Sequence, residues 1–517
     1  MQLQNVLKKA LCAFCLILAG GSIALAQDLN VRGKVVDQSG LPLIGAGVMQ
    51  VGTTNGVITD MDGNFTITVP EGSTLEISYV SYLTQQLPAQ AEMNVVLLED
   101  TQMLDETVVI GYGIQKKSDL TGAISSVKGE DFQSRSITSP ELALQGKTAG
   151  VQLFSSSAAP GASPTVRIRG ISSNGSSDPL YVVDGQITNS ISNIDPNDIE
   201  SMEVLKDGAS AAIYGARAGN GVILITTKKG SGKGHISYDM QLTTQSLGRV
   251  PEVMNAQEYI QYYLEDGRFT QEYIDQNYDG VTDTDWIGSA FENSFSQRHS
   301  IKFDASSDKA SIYASLSYLN NNGMFVGDSD TFQRITAMLN ASWKITPWLE
   351  IYSNNQFNNT RIEELSGGGE SNNTFLATLQ LDPLTPVKYS ADNLPQFMQD
   401  ILNDPTKAPL LGDGQGNYWG ISAVNQCENI NPFILRDSRH TEVSSISLSG
   451  TSGLNLTPIK GLTVTGRISY RFRTSQTYGY TKAYYANSYM HQDYMTLSGG
   501  IQAPSYFQVE AFANYMK

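Results

Sequence analysis

The sequence predicts a mixed, β-rich chain: a small β-sandwich, then a tightly turned α/β unit, then antiparallel transmembrane β-barrel strands that form an incomplete barrel. Three observations predict it. Residues 28–98 fall into short strand-like runs at regular spacing, separated by turn clusters. Residues 165–230 alternate short apolar runs with Gly-rich turns. From His235 onward, segments of about ten residues alternate apolar and polar side chains, joined by connections that are short and long in turn.

The first residues carry a leader. Lys8 and Lys9 form a basic start, 10–19 an apolar run, and Ala24-Leu25-Ala26 a small-x-small cleavage site, so residues 1–26 read as a signal peptide. Cys12 and Cys15 leave with it, and neither sits in a lipobox-like position. Cys427 is then the one cysteine of the mature chain, so no intramolecular disulfide is expected.

In residues 27–99 the candidate strands are Val31–Val36, Gly47–Val51, Asn64–Val69, Thr74–Tyr79 and Asn94–Leu98, with turns at 37–40, 60–63 and 71–72. Asp60, Asp62 and Asn64 read as a hairpin turn; the glycine spacing of a calcium loop is absent. Next, Leu104-Asp-Glu-Thr-Val-Val-Ile110 is a β-branched run between acidic Glu99-Asp100 and Gly111-Tyr-Gly113. It reads as an unpaired strand awaiting a partner, since strand addition supplies main-chain bonds and register together.

In the α/β unit, Val166–Arg169, Leu180–Val183 and Gly221–Thr227 are the strand-like runs. Asp195-Pro196 opens a helical piece, 209–214 forms another that Gly215 closes, and Ser139-Pro140 opens a third ending near Gly146. So tightly turned a unit has little room for a core of its own and needs a container. Gly146-Lys-Thr148 lacks the first glycine of a phosphate loop, which is Glu141 here, and Gly111-Tyr-Gly113 lacks a third glycine.

The alternating segments each have two faces. Phe295, His299, Ile301 and Phe303 oppose Ser296, Arg298, Ser300 and Lys302; Ile335, Ala337, Leu339 and Trp343 oppose Arg334, Thr336, Asn340 and Lys344; Ile468, Tyr470 and Phe472 oppose Arg467, Ser469, Arg471 and Arg473. Turns at 306–308, 346–348 and 458–461 are tight, whereas the joins at about 248–293, 321–330, 362–438 and 477–503 are long. Trp343 and Trp348 flank one tight turn, where an interfacial aromatic girdle is expected. Residues 362–438 carry Asn372, Asn373, Phe375, Tyr389, Tyr418 and Trp419, groups that suit sugars, peptides or another protein. Asp275-x-Asn277-x-Asp279-Gly280 with Asp283 resembles a calcium loop, but its twelfth position is Trp286, so a plain turn is the reading.

Composition closes off other classes. No long unbroken apolar run follows residue 26, the hydrophobic share is 40% and mean hydropathy is -0.21, so helical spans are excluded and strands are not. A net charge of -17 argues against non-specific nucleic-acid binding. No metalloprotease, Cys-x-x-Cys or nucleophile-elbow motif is present, so neither an enzyme nor a cofactor is expected.

The phrases Val166-Arg-Ile-Arg-Gly170, Pro179-Leu-Tyr-Val-Val-Asp-Gly185, Ile199-Glu-Ser-Met-Glu-Val-Leu-Lys-Asp-Gly208 and Ala211-Ala-Ile-Tyr-Gly215 resemble the plug domain of SusC/RagA-type TonB-dependent outer-membrane transporters. Gly40-Leu-Pro-Leu-Ile-Gly-Ala46 and Asp60-Met-Asp-Gly-Asn-Phe65 resemble the carboxypeptidase-regulatory-like domain that precedes it. The resemblance implies a plug at 115–230, the first part of the barrel at 235–517, and a TonB box at 103–113. TonB contact would fall on Leu104, Asp105, Glu106, Thr107, Val108, Val109 and Ile110. Arg167, Arg169, Arg217 and, from the barrel side, Arg467 are the expected plug–barrel contacts. Implied partners are the TonB–ExbB–ExbD complex, a SusD-like surface lipoprotein, a glycan or peptide substrate and outer-membrane lipid. A surface binding or adhesion protein is the competing class. About eight barrel strands can be counted, where such transporters use about twenty-two around a plugged lumen; the chain therefore reads as an amino-terminal fragment.

Overall fold

The structure is a computed structural model that describes residues 28–515, apart from 39, 54, 80–81, 99–106, 111–112, 117–123, 134, 136, 156, 158, 172–175, 208–211, 328, 366–373 and 425–429. The leader, Leu104–Glu106, Asn372, Asn373 and Cys427 lie outside the described residues. Two compact units divide the chain at about the 107–116 segment, and each is described by itself.

The first unit is the expected sandwich. Its strands are β1 Asp28–Val36, β2 Gly47–Gln50, β3 Gly56–Ile58, β4 Asn64–Pro70, β5 Thr74–Ser78, β6 Gln85–Pro88 and β7 Glu92–Val96. One sheet runs β4-β1-β7, the other β3-β2-β5-β6. Alternation decides which side chains go in: on β4, Phe65, Ile67 and Val69 meet Val31, Val48, Leu75 and Ile77 in a shared core. β3 and β6, at three and four residues, are the strands of this unit that the sequence pattern misses. Asp60 Oδ1 accepts from the Asp62 and Asn64 N–H groups at 2.9 and 2.8 Å, so this acidic cluster is a turn.

A pair of short strands follows, β8 Thr107–Ile110 and β9 Gly113–Lys116. This corrects the expectation of an unpaired strand. Two residues, 111–112, separate the two runs, which is the length of a tight hairpin connection.

The second unit holds two large sheets and, among the described residues, three two-stranded ones. The plug segment contributes β10 Ile124–Lys128, β11 Val151–Phe154, β12 Thr165–Ile168, β13 Leu180–Val183, β14 Gln186–Thr188, β15 Ile199–Leu205 and β16 Val222–Thr227. Its main sheet runs β10-β15-β16-β13-β14, parallel only between β13 and β16. The expectation of a near-coreless unit is corrected in degree. Val127, Leu144, Val166, Ile191, Ile199, Met202, Val204, Ile223 and Ile225 form a real core, and the surrounding wall completes it with Tyr313 and Met338. The helical pieces are 3-10 turns at Pro140–Leu144, Pro196–Asp198 and Ala212–Ala218. Asp195 caps the second by accepting from the Asn197 N–H.

The wall is a second, antiparallel sheet: β17 His235–Gln245, β18 Ser294–Ser306, β19 Ala310–Asn322, β20 Thr331–Thr346 and β21 Leu349–Glu364. After the small loop strands β22 Lys388–Ser390 and β23 Asn417–Trp419 come β24 Arg439–Ile459 and β25 Leu462–Thr481. β26 Tyr484–Tyr485 and β27 His491–Gln492 lie in the next loop, then β28 Thr496–Gln502 and β29 Ser505–Tyr515. Nine of these segments make the wall. They occupy eight positions, because β28 and β29 both pair with β25 in one continuous register, Ser475↔Gln502 and Phe472↔Ser505. The break between them falls at Pro504, which has no N–H to give. β17 and the β28–β29 row are the two edges, so the barrel is not closed.

The wall is inverted relative to a soluble sheet. Ile301, Leu316, Leu339, Trp343, Leu448, Ile468 and Phe472 are exposed on one face, while Ser300, Ser317, Arg334, Thr336, Asn340, Thr451 and Ser469 are buried against the plug on the other. Apolar outward and polar inward is the pattern a bilayer imposes.

The long joins are not irregular. Helices Ala256–Glu265, Gln271–Asn277, Trp286–Ala290, Thr374–Gln380, Gln396–Asn403 and Pro432–Ser438 fill them. Local signals start several of these: Asn255 forms a capping box with Glu258, Thr270 and Asp285 cap the next two, and Pro432 sits at the first position after Asn431. Separate joins share one core, in which Ala290, Phe325, Met398, Trp419, Phe433 and Tyr484 are buried together.

Candidate functional site

Three places carry the expected chemistry: the 107–110 strand, the seam between plug and wall, and a cavity above the plug. Of the seven expected TonB-contact residues, Thr107, Val108, Val109 and Ile110 form β8, with β9 on one side. A strand has two hydrogen-bonding edges, so a two-stranded sheet leaves each strand one edge for a further strand.

At the seam, the plug hairpin β13–β14 turns at Asp184 and Gly185, with φ of 47° and 85°. Both residues are left-handed, as a two-residue hairpin of the right twist requires. A Cβ on Gly185 would stand 2.2 Å from Arg467 Nη1, so the turn needs glycine for space as well. Asp184 is fixed by the Thr227 N–H at 3.0 Å and the Thr227 hydroxyl at 2.6 Å. Burial pushes its carboxyl above the usual range.

Wall side chains hold this hairpin. Arg467 Nη2 donates to the Gly185 carbonyl at 3.4 Å, and Arg471 donates to the Ile187 carbonyl at 3.4 Å and to Thr188 Oγ1 at 2.6 Å. Gln186 returns a bond from the plug to the Tyr470 carbonyl at 2.9 Å. Arg467 is itself paired with Glu510 of the neighbouring strand at 2.5 Å and lies over the Phe512 ring.

Deeper in the seam lies a buried charge cluster. Arg298 donates to the Ile137 carbonyl at 3.0 Å; Arg334 donates to the Ser192 carbonyl and, at 3.4 Å, to the Thr138 carbonyl. Plug carboxylates face wall hydroxyls: Tyr313 donates to Asp198 at 2.8 Å and Ser317 to Asp195 at 2.5 Å. Asn340 donates to Thr227 Oγ1 at 2.7 Å and to the Lys228 carbonyl at 2.8 Å. Glu141, Asp195, Asp198, Arg298 and Arg334 are all under a tenth exposed. Burial first, and the adjacent Asp195 second, push the Asp198 carboxyl upward. Burial does the same to Glu141.

The expected plug arginines fare differently. Arg167 pairs inside the plug with Asp178 at 2.5 Å, because the chain returns past β12 before entering β13. Arg169 is exposed, with φ 57°, and its N–H donates to the Gly150 carbonyl. Arg217 is exposed on the Ala212–Ala218 turn. The seam therefore works mainly the other way round from that expectation: wall arginines grip plug carbonyls. Arg298, Arg334, Tyr313, Ser317, Asn340 and Gln356, whose amide donates to the Asn193 carbonyl at 2.8 Å, are the contact residues that sequence reasoning missed. Their inward parity was legible, but parity does not say which rung meets the plug.

Above the plug a cavity of about 630 Å³ opens between the 157–162 loop and the ends of β21, β24, β25 and β28. Its floor is small and apolar, Ala159 to Ala162. Its sides carry Asp330, Glu363, Glu364, Arg439, His440 and Tyr480. Arg361 bridges Glu363 and Glu442 at 3.1 and 3.0 Å, and the His440 and Tyr480 rings stack at 5.4 Å. Among the described residues no group of three metal-ligating side chains converges. Of the calcium-loop-like stretch, Asp275 and Asn277 lie in the helix Gln271–Asn277; in the turn that follows, Asp279 accepts from Val281 and Thr282, Asp283 from the Ala256 N–H, and Asp285 caps the next helix.

Similarity to known proteins follows the same order along the chain. The CarboxypepD_reg-like domain family matches residues 31–109, and the TonB-dependent Receptor Plug Domain family matches residues 116–222. The TonB-dependent receptor SusC of Bacteroides thetaiotaomicron is 36% identical over 387 residues, covering 72% of this chain and 38% of that protein. The TonB-dependent receptor P3 of Formosa agariphila is 38% identical over 347 residues, covering 66% and 33%. The chain thus spans about a third of the length of these relatives. In fold it is similar to the RagAB peptide importer in its open-open state, with a TM-score of 0.63, 24% identity, and 79% of this chain and 47% of that chain covered. The inverted wall, the plug seated in it and these likenesses place the chain in the SusC/RagA family of TonB-dependent receptors of the outer membrane.

Proposed function

We propose that the protein to which this chain belongs imports an oligosaccharide or a peptide across the outer membrane, driven by TonB, with a SusD-like lipoprotein closing the loop side. The observation that carries this reading is the plug held in an inverted wall, directly downstream of a strand that has one pairing partner among the described residues. In this reading the cavity above the 157–162 loop receives the substrate. Its acidic and basic side chains, stacked rings and small apolar floor suit a polar oligomer. Residues 104–110 are the segment TonB takes, through the open edge of β8.

Uptake in the complete gene, with and without residues 104–110, tests the reading. Deletion is expected to abolish uptake while leaving the protein in the outer membrane. Val108→Pro is expected to match it, because proline removes a ladder donor and is tolerated poorly inside a sheet. Uptake that survives both changes would instead favour a surface binding protein.

The seam has its own test. In Arg467→Glu a second carboxylate is set against Glu510 and the hold on Gly185 is lost. Breaking such a buried pair costs about 3–5 kcal/mol. The variant is expected to admit bulky antibiotics that the wild type excludes. Unchanged antibiotic sensitivity, with uptake of acidic substrates alone reduced, would assign the lumen arginines to the ligand.

A further inference from the structure

Arg467, Arg471 and Arg473 share the inward side of one strand, β25. Glu510 matches the first of them. The other two have no countercharge among the described residues. Arg471 gives its donors to neutral groups, the Ile187 carbonyl and Thr188 Oγ1. The ionisable groups whose charges act on it are Tyr506 and Arg473, and neither is a carboxylate. Arg473 is exposed and donates from Nε to Ser445 Oγ at 3.0 Å.

The neighbouring strands supply no acid at this level. Across β24, Arg471 and Arg473 stand opposite Ser449 and Ser447. Across β29, Arg471 stands opposite Tyr506, and its guanidinium lies over that ring at 5.3 Å. Arg217, exposed on the plug's Ala212–Ala218 turn, is close enough for its charge to act on the same Tyr506. Glu510 is the acidic group near that phenol, and Arg467 already holds it. Three guanidinium groups of one sign therefore gather around Tyr506, in a chain whose net charge is -17. Like charges brought together out of bulk water oppose one another until an anion joins them.

Position along the strand gives this strip a direction. β25 climbs from its tight turn at 458–461 towards the loop side, so Arg473 lies about 20 Å beyond Arg467. Arg471 touches the plug hairpin, and β25 runs on past Arg473 to Tyr480 and Thr481, which border the cavity above the plug. That cavity is lined by both signs of charge; the strip below it carries one.

We propose that the imported oligomer is anionic, and that Arg473 and Arg217, with Arg471 beside the plug hairpin, take its carboxylate or sulfate groups as it leaves the cavity. This rests on the importer reading and names its substrate class. Guanidinium forks suit oxyanions because two parallel N–H donors meet two oxygens at once.

Equilibrium binding to the purified complete protein tests it. The probes are an oligogalacturonate, its neutral methyl ester, an oligoglutamate peptide and its glutamine counterpart. One acidic probe is expected to bind more tightly than its neutral twin, with an affinity that falls as salt rises. Whichever pair shows the difference separates glycan from peptide. Arg473→Gln with Arg217→Gln is expected to weaken acidic binding about tenfold and leave neutral binding unchanged. Arg473→Lys with Arg217→Lys keeps the charge and is expected to retain part of the preference. Antibiotic exclusion is expected to be unchanged in both variants, since neither residue holds the plug. Acidic and neutral probes bound alike would overturn the proposal, as would no binding of either acidic probe. So would an acidic preference that survives Arg473→Gln with Arg217→Gln. Uptake of the preferred probe that persists without TonB would sink the importer reading instead, because the binding preference is measured without TonB.

Discussion

Arg334→Met is expected to unseat the plug. Arg334 is 2% exposed and donates to the Ser192 and Thr138 carbonyls from β20, with Glu141, Asp195 and Asp198 close enough for their charges to act on it. Methionine keeps much of the volume and removes the charge. It leaves two plug carbonyls without their donor and takes away one of the two buried arginines, the other being Arg298, that stand near the buried acidic groups. Removing one partner of a buried ionic arrangement costs about 3–5 kcal/mol. That is a large part of the stability of an ordinary domain. The measurement is single-channel conductance of the complete protein in planar bilayers. The wild type is expected to stay closed and the variant to open intermittently. A variant as silent as the wild type would mean that the remaining seam bonds suffice. Arg334→Lys is the informative companion, since it keeps the charge and loses the fork that reaches two carbonyls at once.

Phe433→Ala is expected to dissolve the packed shell formed by the long joins. Phe433 is buried, stacks on Trp419 at 4.8 Å, meets Phe325 at 5.8 Å and carries the Arg436 guanidinium at 5.2 Å. Phe-to-Ala in a core costs about 3–5 kcal/mol. The shell is joined to a wall held by its own ladders, so the loss is expected to stay local. Limited proteolysis checks this: new cleavage is expected between 374 and 438, while the wall strands remain protected. Unchanged cleavage would show that the four joins hold one another without this ring.

The sequence alone determined the architecture because its signals are local or periodic. Alternation across β18, β19, β20 and β25 needs only a two-residue repeat, and the turns at 306–308, 346–348 and 458–461 announce themselves by length and composition. The motif phrases from Val166 to Gly215 placed the plug, and Asp195-Pro196 its middle turn, because capping is decided within three residues.

Tertiary structure decided what depends on partners far along the chain. The Tyr313–Asp198 contact joins residues 115 apart in sequence and the Arg471–Thr188 contact residues 283 apart. Nothing near either residue encodes the rung at which wall and plug meet. Arg167 shows the same limit from the other side: its partner Asp178 is close in sequence, yet only the path of the chain brings the carboxylate to it. The helices of the long joins were hidden because each is short and buries its apolar side against other segments of the joins, so their stability comes from packing. β8 was read as unpaired because pairing is a property of two segments, and a two-residue link decides whether they meet.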